Sequence, residues 1–174
     1  MSYITPEMKA LIGIPGEVQT APVPLSADML RRFTQAVMES DPAHWDPIEA
    51  AARGFETPVA TPLQPLHLFT RAAGTPDTFE KFKDNPDWDG MGGTVSKGLP
   101  SLKLPFKRLL NGGYACEFFR YAKLGDVVSR QSTYVDIAER ESSSGPMIIF
   151  KTETIYTNQN GEKLLRIVHT ELAR

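Results

Sequence analysis

Four side chains that can gain or lose a proton lie between Glu39 and Asp46: three carboxylates and the imidazole of His44. Carboxylate and imidazole groups are the side chains that most often act as general acids and bases. Each also has a purely structural interpretation. Asp46 precedes Pro47 and can cap a helix, Glu39 can be a solvated residue at a helix end, and His44 can be a turn residue packed beside Trp45. These residue types alone leave both interpretations open.

The remaining reactive side chains are predicted to be structural. His67 lies in a Pro- and Leu-rich stretch and His169 in a strand-like one, and three histidines so far apart without cysteine companions predict no metal site. Cys116, the single cysteine, lies in an apolar, strand-like run and is predicted to be buried and unreactive. The glycines of Gly90-Met91-Gly92-Gly93 lack the following Gly-Lys-Ser/Thr of a phosphate-binding loop.

A helix is predicted over residues 26–38, directly before the proton-transfer residues. Ser26 is a typical N-cap, and Leu30, Phe33 and Val37 follow at the spacing of one buried helix face.

A second, shorter helix is predicted directly after the proton-transfer residues. Asp46 can cap it, Pro47 suits the first helical position, Glu49 completes a capping-box pattern and Gly54 can end it. Glu39 to Trp45 therefore form a short connection between two helices.

The rest of the chain predicts one long loop and an antiparallel sheet. Residues 74–113 are rich in Gly, Pro, Asp and Lys, which indicates a long loop insertion that is functional, interfacial or disordered. A short strand is expected near residues 16–23. Four more strands are expected over 114–122, 127–138, 147–157 and 163–173 from their β-branched and aromatic content. This order predicts an α+β fold, either a hot-dog fold with a curved sheet around one helix or another roll of similar content.

Composition limits the classes of function. The 174 residues suffice for one domain spanning 1–174, with 41% hydrophobic and 23% charged residues. A net charge of −2 does not favour nucleic acid or anionic membrane as partner. No apolar run approaches a membrane span, and the N-terminus lacks the pattern of a signal peptide. One cysteine excludes an intrachain disulfide, so a reducing, cytoplasmic location is expected.

Several stretches together resemble the MaoC-like acyl dehydratases, in particular their FAS1-like or N-terminal dehydratase domains. Residues 39–47, ESDPAHWDP, are similar to the family's hydratase motif, which has the type D-x-N-P-(aliphatic)-H-x-D-P. Further similar stretches follow in the family's order: Ala51-Ala52-Arg53-Gly54 with Pro58-Val59-Ala60-Thr61-Pro62, Leu110-Asn111-Gly112-Gly113 through Arg120, Leu124-Gly125-Asp126, Ser144-Gly145-Pro146, and Tyr156 to Gly161. The resemblance covers most of residues 10–173.

The resemblance implies a hot-dog fold and reversible hydration of a trans-2-enoyl thioester to a 3-hydroxyacyl thioester. His44 falls on the family's catalytic histidine and Glu39 on its aspartate, so these two are the expected catalytic residues. The expected substrate-binding residues are Asp41, Ala60, Thr61, Gly112 and Gly113. The substrate would be carried on coenzyme A or an acyl carrier protein, without cofactor or metal. A homodimer, or a heterodimer with a second hot-dog subunit, is expected.

Two positions depart from the family motif. Glu39 stands where the family has aspartate, which moves the carboxylate by about 1.5 Å, a misplacement that can cost on the order of a hundredfold in rate. Asp41 stands where the family has asparagine, which is expected to place a like charge near Glu39 and to raise one carboxyl pKa. Because the catalytic pair of the N-terminal branch is often degenerate, two alternatives stay open: a non-catalytic acyl-thioester-binding subunit and a hot-dog thioesterase.

Overall fold

The computed structural model describes residues 2–70, 74, 76–87, 97–106, 108–143 and 145–174. The run Gly90–Gly93 and Ser144, both discussed above, lie outside these described residues. The rest of the expected loop insertion is described in pieces, and residues 97–106 of it pack against the sheet.

One five-stranded antiparallel sheet forms the body of the described structure, in the order β1-β3-β4-β5-β2. Its strands are β1 (Gln19–Thr20), β2 (Leu109–Phe118), β3 (Ser129–Ser142), β4 (Gly145–Thr157) and β5 (Lys163–Ala173). Alternate residues of β4 are buried on one face, as their spacing predicted: Ile148, Phe150, Thr152, Thr154 and Tyr156. Together with the helices below, this sheet confirms the α+β hot-dog prediction.

In the described part of the chain, four short α-helices accompany the sheet: α1 (Pro6–Ala10), α2 (Ala27–Ala36), α3 (Pro47–Ala52) and α4 (Lys81–Asp84). Three 3-10 turns lie between them, at Pro42–His44, Gln64–Leu68 and Thr78–Glu80. The caps of α2 and α3 are those expected from sequence, since Ser26 Oγ accepts from the N–H of Met29 at 3.3 Å and Asp46 caps α3. Helix α1, capped by Thr5, was not predicted.

Helix α2 packs on one half of the sheet but is shorter than predicted. Leu30 is fully buried in a core shared with Leu165 and Ile167 of β5. Phe33 is only half buried, and the prediction that Val37 is buried is wrong. The helix ends at Ala36, so Val37 already follows the last turn and lies in solvent.

A second apolar cluster covers the other half of the same sheet face. Met8 of α1 and Leu102 of the segment 97–106 are buried there against Tyr134 and Phe150. The sheet face is therefore covered by two separate layers, α2 at one end and α1 with residues 97–106 at the other.

Strand β2 begins at Leu109 rather than at residue 114 and forms one edge of the sheet. The prediction that Cys116 is buried is wrong, because its thiol side chain is exposed. Cys116 pairs with Ile167 of β5, but no strand lies on the outer side of β2 among the described residues. Tyr114 and Phe118, on the same face as Cys116, are also more than half exposed.

Candidate functional site

Asp41 stabilises the conformation of the connection between α2 and α3. Its Oδ1 accepts a hydrogen bond from the N–H of Ala43 at 3.0 Å and thereby caps the turn Pro42–His44, while its Oδ2 forms an ion pair with Arg53. The N–H of Ala43, together with the charge of Arg53, holds the pKa of Asp41 below its usual value. The like charge expected here therefore does not raise the pKa of Asp41, because a backbone donor and a cation face this carboxyl.

His44 is buried, with 6% of its surface exposed, at the end of this turn. Its Nδ1 lies 2.8 Å from the carbonyl oxygen of Val59. Because a carbonyl only accepts hydrogen bonds, Nδ1 must carry the proton, and the neutral ring then has its lone pair on Nε2. Within the described part of the chain, Nε2 has no hydrogen-bond partner. The fold thus fixes the tautomer and keeps one basic nitrogen available.

Glu39 is half buried at the start of the same connection. Its Oε1 accepts hydrogen bonds from the N–H groups of Ser40 at 2.8 Å and Asp41 at 3.0 Å, so one carboxylate oxygen is held by the local backbone. The second oxygen has no partner among the described residues, and no direct hydrogen bond joins Glu39 to His44 there. Both predicted catalytic residues lie on the connection between α2 and α3, Glu39 before the turn Pro42–His44 and His44 at its end, and whether they share a water stays a prediction.

Thr61 faces a cavity of about 220 Å³ between the Pro-rich connection and strands β2 and β5. It is 5% exposed, and its Oγ1 has no hydrogen-bond partner in the described structure. Among the described residues, the N–H of Thr61 likewise makes no backbone hydrogen bond. Ala60 anchors this residue, since its N–H donates to the carbonyl of Ala122 at 2.7 Å and its side chain is fully buried. A buried hydroxyl without a partner costs free energy, and this makes Thr61 a candidate ligand-binding residue.

Tyr121 links His44 to this cavity and was missed in the sequence. Its ring contacts the His44 ring with centroids 6.4 Å apart and the Phe55 ring at 5.4 Å. It lines the Thr61 cavity and also an adjacent cavity of about 340 Å³ that contains Arg120 and Lys123. His44, Glu39 and Asp41 do not line either of these two cavities, whereas Tyr121 lines both and contacts the His44 ring. Its position in an aromatic run of the sequence gave no sign of this role.

The two glycines expected to bind substrate lie elsewhere. Gly112 sits at a β-bulge where β2 approaches β5, and a Cβ there would lie 3.0 Å from the carbonyl oxygen of Thr170. Gly113 has φ of 109°, a conformation that favours glycine. Phe118, which lines the Thr61 cavity, lies five residues farther along β2, or about 17 Å. Both glycines shape the strand, and their contact with substrate stays a prediction.

The remaining histidines have different surroundings. His67 is exposed and packs against Phe33, with ring centroids 5.0 Å apart. His169 lies in a polar cluster on the sheet face with Lys97 and Glu171. In the ranges the structure describes, no group of three or more His, Cys, Asp or Glu side chains could hold a metal ion, and no helix is long and apolar enough to cross a membrane.

Replacing Asp41 with Asn tests the structural role of this carboxylate. The amide oxygen can still cap the turn, but the ion pair with Arg53 is lost, so the variant should be less stable than the wild type at pH 7. A lowered folded-state pKa gives stability that is present above the unfolded value near 3.8 and is lost as the pH falls through the folded-state value. We therefore expect urea midpoints that differ at pH 7 and move together as the pH falls from 3.8 through the lower folded-state pKa of Asp41. A difference that does not shrink as the pH falls below 3.8 would contradict this assignment.

Comparison with known proteins yields one family. The model of the "FAS1-like, dehydratase domain region" matches residues 10–167. A UPF0336 protein of Thermobifida fusca is 24% identical over 128 residues, covering 74% of this chain and 70% of that protein.

Two solved structures share the fold. The ChsH1-ChsH2 complex of Mycobacterium tuberculosis matches with a TM-score of 0.67 and 15% identity, covering 91% of this chain and 88% of that one. A MaoC-like dehydratase of Rhodospirillum rubrum matches with a TM-score of 0.59 and 18% identity, covering 91% and 90%.

Proposed function

The chain belongs to the family of FAS1-like dehydratase domain regions, and from this premise we propose that it hydrates trans-2-enoyl thioesters or dehydrates 3-hydroxyacyl thioesters. The observation that carries the proposal is the fixed tautomer of His44. Because Nδ1 is held by the Val59 carbonyl, Nε2 is the nitrogen that carries the lone pair in the neutral ring, and this is the atom that can act as a general base.

The proposed reaction needs one water and no cofactor. In the hydration direction, Nε2 of His44 and the free oxygen of Glu39 hold the water, and one of them takes its proton as the oxygen bonds to C3. The electron pair of the C2–C3 double bond moves toward the thioester carbonyl, and C2 then receives the proton that the base took from the water. Product and substrate therefore differ by one water molecule, and the two side chains end in their starting protonation states.

Thr61 is the proposed partner of the thioester oxygen, which becomes negative during the reaction. Thr61 lines the cavity, and its buried hydroxyl and its N–H have no hydrogen-bond partner among the described residues. Donors already aimed at the developing charge lower the barrier without having to reorganise. Pro62, the next residue, has no N–H, so Thr61 supplies the donors at this point of the chain.

A second candidate function is a non-catalytic subunit that binds the acyl thioester for a catalytic partner. The observation in its favour is that one oxygen of Glu39 is already used by the backbone of Ser40 and Asp41. A related fold occurs in a complex of two different chains, ChsH1 and ChsH2.

We also propose a dimer, with itself or with a second hot-dog subunit. The ten-residue edge strand β2 carries exposed apolar side chains at both ends, and proteins rarely leave so long a strand edge unpaired. The single cysteine fits a cytoplasmic setting for such an assembly.

Hydration of crotonyl-CoA separates these functions. If the chain is a hydratase, purified protein should remove the absorbance of the conjugated enoyl thioester and form 3-hydroxybutyryl-CoA, identified by mass spectrometry. Activity that appears only after a partner hot-dog subunit is added would favour the binding subunit, and release of free coenzyme A would indicate a thioesterase. Light scattering on the same samples should give at least twice the monomer mass of 19.3 kDa.

A further inference from the structure

The turn that leads from β2 into β3 contains a buried carboxylate that the proposed reaction does not use. Asp126 is only 2% exposed, and in the part of the chain that the structure describes no cation forms an ion pair with it. The ammonium of Lys123, three residues earlier, pairs with Glu56 instead. A buried carboxylate without a counter-ion must be compensated by hydrogen bonds, so the bonds of Asp126 indicate its role.

Both carboxylate oxygens of Asp126 bind the chain around the turn. Oδ2 accepts a hydrogen bond from the backbone N–H of Lys123 at 2.9 Å, and Oδ1 accepts from the side-chain amide of Gln159 at 3.4 Å. The N–H of Asp126 donates to the carbonyl of Lys123 at 3.0 Å, and Gly125 between them has a φ of 84°, which favours glycine. Asp126 therefore holds Lys123 at both its N–H and its carbonyl, and the bond to the carboxylate is the stronger kind.

The backbone held by Asp126 supports the segment that adjoins the candidate site. Lys123 pairs with Val59 in an isolated antiparallel bridge, and the carbonyl of Ala122 accepts from the N–H of Ala60 at 2.7 Å. Val59, Ala60 and Ala122 are all buried. The N–H of Val59 also donates to the carbonyl of Ala43, but over a longer distance of 3.4 Å. The segment therefore takes its position mainly from the backbone opposite it.

The same segment fixes the proton acceptor of the proposed reaction. The carbonyl of Val59 lies 2.8 Å from His44 Nδ1 and selects the tautomer of the ring. A line of contacts thus runs from the Asp126 carboxylate through the backbone of Lys123 to Val59, and from Val59 to the imidazole.

The other contacts of this turn do not replace the carboxylate. The ion pair between Lys123 and Glu56 is largely exposed, and exposed ion pairs contribute little to holding a backbone in place. The N–H of Gly125 donates to the carbonyl of Leu25, and the N–H of Leu25 donates to the carbonyl of Asp126, both at 2.9 Å. These main-chain bonds fix the start of α2 and can survive replacement of the Asp126 side chain, so the effect of the carboxylate can be measured separately.

We propose that Asp126 is a positioning residue for the proposed reaction: its buried carboxylate fixes the backbone of Lys123 and, through it, the Val59 carbonyl that holds His44. This inference rests on the proposed function for the role of His44 in turnover. The effect on the His44 tautomer does not depend on turnover.

The tautomer of His44 tests the proposal directly. The chain has three histidines, so two-bond ¹H–¹⁵N correlations of the imidazole rings, recorded at about pH 8 where an ordinary histidine is neutral, can be assigned by the signals lost in His44→Asn. The wild type should carry the His44 proton on Nδ1 alone. In Asp126→Ala this single form should be lost and a form protonated at Nε2 should appear. Asp126→Asn keeps an oxygen for the N–H of Lys123 and should restore the wild-type pattern. A wild-type tautomer in Asp126→Ala would overturn the proposal.

Hydration of crotonyl-CoA gives the second readout. Misplacing a catalytic group by about 1 Å can cost on the order of a hundredfold in rate, so kcat of Asp126→Ala should fall about 10- to 100-fold with little change in KM, whereas Asp126→Asn should stay close to the wild type. Leu102→Ala is the control for lost stability, because Leu102 is buried in the second apolar layer of the sheet face. It should lower the urea midpoint and leave kcat unchanged. Equal kcat values in Asp126→Ala and Leu102→Ala would show that the carboxylate contributes stability only, and would overturn the proposal.

The two readouts separate this proposal from the proposed function. A wild type without hydratase activity, together with a tautomer that changes in Asp126→Ala, would overturn only the proposed function. A fall in kcat with an unchanged tautomer would overturn only the positioning role. If Asp126→Ala does not fold, Asp126→Ser takes its place. Serine keeps a hydroxyl in this buried position but is one bond shorter, so it cannot hold the N–H of Lys123 at the same distance, and the same results are expected.

Discussion

Removing the imidazole of His44 should lower kcat for enoyl-thioester hydration by about 100- to 10 000-fold, the range for loss of a general base. Two variants make the test specific. His44→Ala removes the ring and also its hydrogen bond to Val59, so it can lose stability as well as chemistry. His44→Asn places an amide N–H near the position of Nδ1 and can keep the bond to Val59, but it has no group at the position of Nε2.

The kcat of the two variants should therefore fall to the same extent, while their stabilities differ. His67→Ala is the matched control, because His67 is exposed, packs only against Phe33 in the described structure and lies outside the proposed site. We expect its kcat to equal that of the wild type, measured by crotonyl-CoA hydration with urea unfolding of each variant alongside. Full activity in His44→Asn would show that Nε2 takes no part in the reaction.

Local sequence signals sufficed for much of the fold. The cap at Ser26, the Asp46–Pro47 start of α3 and the alternation of Ile148 to Tyr156 depend on contacts within a few residues, so their patterns are readable in the chain. The prediction of a buried Val37 was wrong because the helix ends one residue earlier, and periodicity does not fix a helix end.

Features that depend on distant residues could not be predicted. Cys116 lies in an apolar run, but its exposure follows from the position of β2 at the edge of the sheet. No local sequence pattern predicts that position. The second apolar layer needs Met8 to meet Leu102 and Phe150, three residues from widely separated parts of the chain.

In the candidate site, too, the residues of a local motif could be predicted, whereas the contacts between distant residues could not. The motif gave His44, Glu39 and Asp41, and it gave Thr61 by resemblance alone. The bond from His44 to Val59 and the unpartnered Thr61 hydroxyl appear only in three dimensions. Asp41 was expected to act as a like charge near Glu39 and to raise one carboxyl pKa. The N–H of Ala43 and the charge of Arg53, twelve residues later, instead hold the pKa of Asp41 itself below its usual value.

Changing Glu39 should have the second large effect, and two substitutions separate its charge from its length. Glu39→Gln keeps an oxygen that can accept from the N–H groups of Ser40 and Asp41, so the turn should fold as in the wild type. The amide cannot take a proton from water, and we expect kcat to fall about 100-fold or more with little change in KM.

Glu39→Asp keeps the charge and shortens the side chain by one methylene, which restores the residue type of the hydratase motif. An aspartate can also accept from the N–H two residues ahead, so the bond to Asp41 can survive. If the backbone of the turn has the standard geometry, kcat should stay at the wild-type level or rise. A fall as large as that of Glu39→Gln would mean that the longer side chain is matched to this turn. Unchanged turnover in Glu39→Gln, together with full activity in both His44 variants, would indicate that a partner chain carries the catalytic residues. The binding-subunit function would then be the correct one.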